Sequence, residues 1–219
     1  MIKNVIFDFG CVLVNWDQHN LYDPYFGSKE KTDWFIDNVC TWEWNNQTDI
    51  GKTFAESVAE KVAEFPEWEK EIQMYWDRWV DMIGGEVAGM KEWISELKAA
   101  GYSTYGLTNW SAETFPLVKD KFEAFGLLDG IVMSGEELIG KPDLRIYRIL
   151  LDRYGLKAEE CVFIDDRLSN IEAGEKVGIQ GIVFENCEQA KKEFEKLISK
   201  NGEYESKDYK QEQQSVAKV

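Results

Sequence analysis

The stretch Val5-Ile6-Phe7-Asp8-Phe9-Gly10-Cys11-Val12-Leu13-Val14 decides the fold of this chain. It is rich in β-branched and aromatic residues and predicts a buried strand over Val5–Phe9. Asp8 interrupts the apolar run, and a buried carboxylate is costly unless a partner compensates it. Gly10 ends the strand and allows a sharp turn. An acid at the end of a first parallel strand is where open α/β sheets place their chemistry; the alternative is an aspartate that only caps a loop.

Four further apolar runs predict strands, and helical patterns separate the later ones. The strands are Ser103–Thr108, Gly130–Ser134, Cys161–Ile164 and Gly181–Phe184. The helices are Val87–Ala100, Ala112–Phe125, Leu144–Tyr154, Asn170–Val177 and Gln189–Ile198. This alternation indicates an α/β fold, a Rossmann-like parallel sheet with helices on both faces and right-handed crossovers.

The segment 15–83 breaks this alternation. It contains no convincing strand and is typical of helices at roughly Lys29–Val39, Thr53–Phe65 and Glu67–Ile83, with aromatic residues at helical spacing. We therefore predict a catalytic core formed by residues 1–14 and 84–200 and an inserted all-helical cap domain at 15–83. The polar tail 201–219 is expected to be disordered.

Composition excludes several classes of function. The chain has 219 residues and a formal net charge of -16, with no basic patch, so neither nucleic acid nor an acidic membrane surface is an expected partner. Its four cysteines are widely spaced and form no zinc-binding pattern. No signal peptide and no apolar run of about 18 residues is present, so a cytoplasmic location is expected.

Three more groups of polar residues follow strand ends. Thr108 and Asn109 lie where a strand meets a helix and can bind phosphate oxygens, or serve as an ordinary helix cap. Lys141, between Gly140 and Pro142, is either a fixed ammonium that neutralises developing charge or a plain loop lysine. The adjacent Asp165 and Asp166 repel each other unless a cation intervenes, and Mg²⁺ suits their oxygen ligands; solvated loop acids are the alternative.

In this order, the motifs FDFGCVLV, GLTN, GKPD and FIDDRLSN resemble those of the haloacid dehalogenase-like hydrolase superfamily. The resemblance covers Ile2 to Phe184, and the insert resembles the helical cap found after the first strand in one branch of the superfamily. The closest likeness is to the cap-bearing phosphatases whose first motif reads Asp-x-Gly, a group that includes sugar-phosphate phosphatases.

The resemblance implies a Mg²⁺-dependent phosphatase that acts on a small phosphorylated metabolite. Asp8 would be the nucleophile that forms an aspartyl-phosphate. The metal ligands would be Asp8, the carbonyl of Gly10 and Asp166, with Asp165 a direct or indirect helper. Thr108 and Asn109 would hold the phosphoryl oxygens, and Lys141 would stabilise Asp8 and the developing charge.

Gly10 departs from the family pattern, because most of its phosphatases carry a second Asp there that protonates the leaving group. General acid–base help is worth roughly 10²–10⁴-fold in rate. Three outcomes are open: another acid substitutes, with Asp17 the nearest candidate; the substrate has a good leaving group; or the chain is slow or non-hydrolytic.

Two other classes of function remain in view. A metal-independent 2-haloacid dehalogenase also lacks the second Asp, but the retained Asp165-Asp166 pair favours metal and phosphate. A non-catalytic phosphometabolite-binding protein is the second alternative. The segment Thr41–Gln47, which includes Trp44, is rich in aromatic and amide side chains and is expected to line the substrate pocket with Trp16, Asp17 and Trp110. Plain packing between cap and core explains these residues equally well.

Overall fold

The computed structural model describes residues 1–199, so the predicted disordered tail lies outside the described residues. The strands are β1 Asn4–Phe7, β2 Val14–Trp16, β3 Ile83–Glu86, β4 Ser103–Thr108, β5 Gly130–Met133, β6 Cys161–Asp165 and β7 Gln180–Val183. The helices are α1 His19–Phe26, α2 Lys29–Asn38, α3 Trp42–Asp49, α4 Phe54–Glu64, α5 Glu69–Asp77, α6 Met90–Ala99, α7 Glu123–Gly126, α8 Ser134–Glu137, α9 Leu144–Tyr154, α10 Leu168–Lys176 and α11, residues 187–199.

Five strands form one parallel sheet in the order β5-β4-β1-β6-β7. The central strand β1 pairs with β4 and with β6, and Asn4 lies opposite both Ser103 and Cys161. All four residues of β1 are buried, because helices cover both faces of the sheet. This explains why the strand reads as a continuous apolar run, and it confirms the predicted fold class.

Side chains of β1 alternate between two apolar clusters, one on each face. Phe7 packs edge-on against Trp93 of α6 at 5.7 Å between ring centroids. Ile6 points to the other face, where it joins Tyr147 of α9 and Ile171 of α10. The predicted helices on both faces are therefore present.

The chain leaves and re-enters the sheet region through a two-stranded antiparallel ribbon. β2 pairs with β3, with Val14 opposite Glu86, and α1 to α5 lie between these strands along the chain. We expected no strand at 15–83, and this was wrong at both of its ends. The two strands have only three and four residues, and their exposed or half-exposed residues leave little apolar pattern to detect. The division into core and cap domains stays a prediction.

One predicted helix is absent from the described part of the chain. Residues 112–125 form turns, a short 3-10 segment at Phe115–Leu117 and the four-residue α7. Pro116 cannot donate a backbone hydrogen bond, so it interrupts a regular helix here. Separately, no helix within residues 1–199 is long and apolar enough to cross a bilayer.

Candidate active site

The carboxyl ends of three neighbouring strands bring the predicted residues together. β1 lies between β4 and β6, so Asp8, Thr108 and Asp165 come from adjacent strands at the same edge of the sheet. Lys141 reaches them from the loop between α8 and α9. β4 and β5 lie on one side of β1, and β6 and β7 lie on the other, so the strand order reverses direction at β1. Open α/β sheets bind their ligands at such a point.

Lys141 is the buried counter-charge of the site. Its Nζ lies 2.8 Å from Asp8 Oδ1 and 2.7 Å from Asp165 Oδ2, and it donates to the carbonyl oxygen of Leu107 at 2.9 Å. Burial opposes the charged form, but the carboxylates of Asp165 and Asp8 outweigh this effect, and the pKa of Lys141 is raised. The lysine therefore remains protonated, with its side chain only 1% exposed.

Asn109 positions the lysine loop. Its Nδ2 donates to the carbonyl oxygen of Lys141 at 2.9 Å, and its Oδ1 accepts from the N–H of Lys141 at 2.7 Å. A Cβ on Gly140 would lie 3.0 Å from Ile50 Cγ2 and 3.1 Å from Asn109 Oδ1, so a larger residue would fit only if these neighbours shifted slightly. The amide predicted to hold phosphoryl oxygens is thus committed largely to the backbone of Lys141.

The acids Asp8, Asp165 and Asp166 form a cluster whose oxygens lie within 4.8 Å of one another. Burial raises the pKa of Asp8 to about 7, against the opposing charge of Lys141. Burial and the charge of Asp165 also raise the pKa of Asp166. A divalent cation would relieve both effects, so the donor set fits Mg²⁺.

The two acids of the fourth motif have different surroundings. Asp165 is fully buried, and its Oδ1 accepts from the N–H of Arg167 at 2.8 Å while Asn170 Nδ2 lies 3.0 Å from both of its oxygens. With Lys141 on Oδ2, the carboxylate has its hydrogen-bonding positions largely filled. Asp166 is exposed and lines the cavity described below, which makes it the better placed of the two to hold a metal.

Thr108 carries a buried hydroxyl with no protein partner. Its Oγ1 and Ser57 Oγ are the two buried side-chain polar atoms without a hydrogen bond in the described residues. Leaving such a group unpaired costs about 1–3 kcal/mol. The preceding residue, Leu107, accepts from Lys141 Nζ through its carbonyl oxygen, and an unpartnered hydroxyl at this strand end suits an anionic ligand oxygen.

The turn after Asp8 is tight and leaves room at Gly10. The carbonyl oxygen of Phe9 accepts from the N–H groups of Leu13 at 2.8 Å and Val14 at 3.0 Å, and Cys11 adopts a left-handed φ of 60°. A Cβ at Gly10 would meet no atom within 4 Å. The backbone at Gly10 could therefore accept a side chain, so its conformation does not exclude an acid at this position.

A cavity of about 600 Å³ opens onto these residues. Asp8, Gly10, Lys141 and Asp166 lie at its floor. The α3 residues Trp42, Asn45, Asn46 and Asp49 form one wall, joined by Trp16, Ile50, Trp79, Trp110, Leu138 and Arg167. Trp42 packs against Trp16 at 5.7 Å, and the guanidinium carbon of Arg167 lies 3.9 Å from the Trp42 ring centroid.

Two predicted substrate contacts are placed elsewhere. Asp17 is exposed, and its Oδ1 accepts from the N–H of His19 at 2.8 Å, which caps the start of α1. Trp44 is buried, and its Nε1 donates to the carbonyl oxygen of Ser57 at 3.2 Å in the core of the helical segment. Neither Asp17 nor Trp44 is among the described residues that line the cavity, nor is Thr108, whereas Trp16, Asn109 and Lys141 are.

Sequence reasoning missed the acid that does line the cavity, Asp49. It missed Arg167 as well, whereas Asn45 lies in the segment Thr41–Gln47 that was expected to line the pocket. The available signal was the spacing of Trp42, Asn45, Asn46 and Asp49, which places all four on one face of a helix. Because that face is polar and the helix was not predicted, the pattern was not recognised.

The chain belongs to the haloacid dehalogenase-like hydrolase family, whose family model matches residues 2–178. The predicted family and the hydrolase class are therefore confirmed.

Individual relatives agree with this assignment. The sesquiterpene phosphatase astK of Aspergillus oryzae is 30% identical over 181 residues, which cover 82% of this chain and 88% of that protein. The chloroplast flavin mononucleotide hydrolase 1 of Arabidopsis thaliana is 28% identical over 50% of this chain and 44% of its own length. A haloacid dehalogenase family enzyme of Bacteroides thetaiotaomicron, solved with magnesium and inorganic phosphate, superposes with a TM-score of 0.63 at 21% identity, over 85% of this chain and 96% of that one.

Proposed function

We propose that this chain is a Mg²⁺-dependent phosphatase that hydrolyses a small phosphomonoester through an aspartyl-phosphate on Asp8. The observation that carries the proposal is the placement of Asp8 between the buried ammonium of Lys141 and the acid Asp166 at the floor of a cavity. The names of the relatives, a sesquiterpene phosphatase and a flavin mononucleotide hydrolase, support phosphate ester hydrolysis.

One carboxylate oxygen of Asp8 is already hydrogen-bonded, and the other is available. Its Oδ1 accepts from the N–H of Phe9 at 2.7 Å and contacts Lys141, so Oδ2 is the oxygen we assign to attack. The Oδ2–phosphorus bond forms as the bond to the leaving oxygen breaks, and the departing alkoxide takes up a proton. Water then attacks phosphorus, which releases phosphate and restores the Asp8 carboxylate.

Two side chains would stabilise the negative charge on the phosphoryl group. Lys141 supplies a fixed ammonium, and the unpartnered Thr108 hydroxyl supplies a donor for a phosphoryl oxygen. Asp8, the Gly10 carbonyl and Asp166 would hold Mg²⁺, which supplies Lewis-acid neutralisation of the phosphate charge when bound. Asp165 would act indirectly, by fixing Lys141.

The substrate class follows from the cavity and from Gly10. Asp17 caps α1, so it does not replace the missing second acid, and we infer a substrate with a good leaving group. Trp16, Trp42 and Ile50 offer apolar surface for a ring or a compact chain. A phosphorylated sugar or another small ring-bearing metabolite fits these walls.

A phosphatase screen on the full chain tests the proposal. With Mg²⁺, the protein should release phosphate from p-nitrophenyl phosphate and from members of a panel of phosphorylated metabolites, and EDTA should stop the reaction. Asp8→Asn should abolish turnover without loss of thermal stability, while Asp17→Asn, an exposed acid outside the cavity, should keep full activity.

The alternatives predict different results. Phosphate release by Asp8→Asn would refute the nucleophile, and halide release from 2-chloropropionate that EDTA does not affect would identify a dehalogenase. Stabilisation by a phosphometabolite without phosphate release, and without trapping of beryllofluoride on Asp8, would identify a binding protein.

A further inference from the structure

One face of α3 lines the cavity while the rest of the helix is packed into the helical segment. Trp42, Asn45, Asn46 and Asp49 are spaced as i, i+3, i+4 and i+7 and all contact the cavity. Trp44 lies on another side of the helix and packs on Tyr75 at 4.8 Å. The helix therefore presents a polar stripe to whatever part of the substrate extends beyond the phosphate.

Asp49 is the buried acceptor in this stripe. It is 8% exposed, and its Oδ2 accepts from Asn45 Nδ2 at 3.1 Å. A carboxylate has about four acceptor positions, so the Asn45 amide and the Ser111 N–H leave capacity for a ligand. Burial raises the pKa of Asp49 to about 7, while the backbone N–H of Ser111 and the charge of Arg167 oppose this shift.

A chain of hydrogen bonds fixes the orientation of this acceptor. Tyr75 Oη donates to Asn45 Oδ1 at 2.7 Å, and Gln18 Nε2 donates to Tyr75 Oη at 3.3 Å. Because Asn45 receives Tyr75 on its oxygen, its nitrogen must face Asp49. The end of α3 is also anchored to the sheet, since Ser134 Oγ donates to the carbonyl oxygen of Asp49.

We propose that Asp49 is a specificity-determining residue, which accepts a hydrogen bond from a hydroxyl group on the alcohol portion of the substrate. This inference rests on the proposed function. A hydroxyl suits the position better than an ammonium, because Arg167 already places positive charge near Asp49 and lines the same cavity. The substrates would be hydroxylated phosphomonoesters whose carbon skeleton packs on Trp42 and Ile50.

Matched ligand pairs test this assignment without relying on turnover. Binding is measured by calorimetry on Asp8→Asn protein with Mg²⁺, for glucose 1-phosphate against cyclohexyl phosphate and for glycerol 1-phosphate against propyl phosphate. The protein with Asp49 intact should bind the hydroxylated member of at least one pair more tightly. At pH 8, where Asp49 is largely ionised, adding Asp49→Asn should reduce that preference by roughly 10- to 100-fold, the loss expected for a hydrogen bond to a charged group.

A second acid on the same helix provides the control. Glu43 is exposed and does not line the cavity, so Glu43→Gln should leave every affinity unchanged. Equal binding of both members of each pair by the protein with Asp49 intact would overturn the inference, as would an Asp49→Asn loss that is the same for both members. If the preference shifts as expected but wild-type protein releases no phosphate, the recognition role stands and the proposed catalysis fails.

Discussion

Asp49→Asn should stabilise this protein, increasingly so as the pH rises. Burial raises the pKa of Asp49 from 3.8 to about 7, although the Ser111 N–H and Arg167 oppose it. The folded state therefore holds a proton that the unfolded chain has already lost between pH 4 and pH 7. The stability that this proton contributes is fully present below pH 4 and is lost as the pH rises through this window.

The size of the effect follows from the width of that window. A difference of about three pH units corresponds to roughly 4 kcal/mol, at 1.36 kcal/mol per unit. The Asn side chain does not titrate and can still accept from Asn45. The free energy of unfolding of Asp49→Asn should thus match wild type near pH 4 and exceed it by up to about 4 kcal/mol at pH 8.

Urea denaturation followed by tryptophan fluorescence at pH 5, 6, 7 and 8 measures this difference. Asp8 also has a raised pKa, but it is present in both proteins. The groups that shift its pKa, Lys141, Asp165 and Asp166, are not those that act on Asp49, so its contribution cancels to first order. Glu43→Gln serves as the control and should track wild type at every pH. A difference that does not change with pH, or an Asp49→Asn protein that is less stable at pH 8, would refute the reasoning.

Three further substitutions test the residues around Asp8. Thr108→Val should raise the free energy of unfolding in urea by about 1 kcal/mol and reduce phosphate release roughly 100-fold. The control Ser57→Ala, in α4, should stabilise the protein without loss of activity. Full activity in both proteins would contradict the role of Thr108. Lys141→Met leaves Asp8 and Asp165 buried without their cation. At pH 8 without Mg²⁺, this substitution should lower the free energy of unfolding by about 3–5 kcal/mol. A variant as stable as wild type under these conditions would contradict the ion pairs. Gly10→Asp should speed hydrolysis of alkyl phosphates roughly 100-fold while p-nitrophenyl phosphate changes less than about threefold, and equal effects on both would exclude a proton-donating role.

The residues at the sheet edge around Asp8 could be predicted from sequence because their signals are local. A strand buried on both faces reads as an apolar run, and Asp8, Thr108 and Asp165 each follow or end such a run. Parallel strands place their carboxyl ends at one edge, so the motifs converge without any knowledge of loops. Lys141 was identifiable because Gly140 and Pro142 constrain the backbone around it.

The wall of the cavity could not be predicted in the same way. α3 is a polar helix with a weak apolar pattern, and tertiary contacts such as Trp44 on Tyr75 stabilise it. Asp17 was chosen because it is near Gly10 in sequence, whereas Asp49 enters the cavity from a helix that only the fold brings close. Proximity in sequence is a poor guide when the residues of a site come from distant parts of the chain.

Gly10 and the charge balance of the site are connected. Asp8, Asp165 and Asp166 already place three acids within 4.8 Å, against one buried lysine. A fourth acid at position 10 would raise the pKa of Asp8 further and weaken it as a nucleophile in the absence of metal. Gly10 therefore keeps the pKa of Asp8 lower than an acid at this position would. It supplies no acid, however, to protonate the leaving group. The rate of hydrolysis should therefore depend steeply on the acidity of the leaving group. Discrimination between substrates would then depend on the cavity wall that carries Asp49.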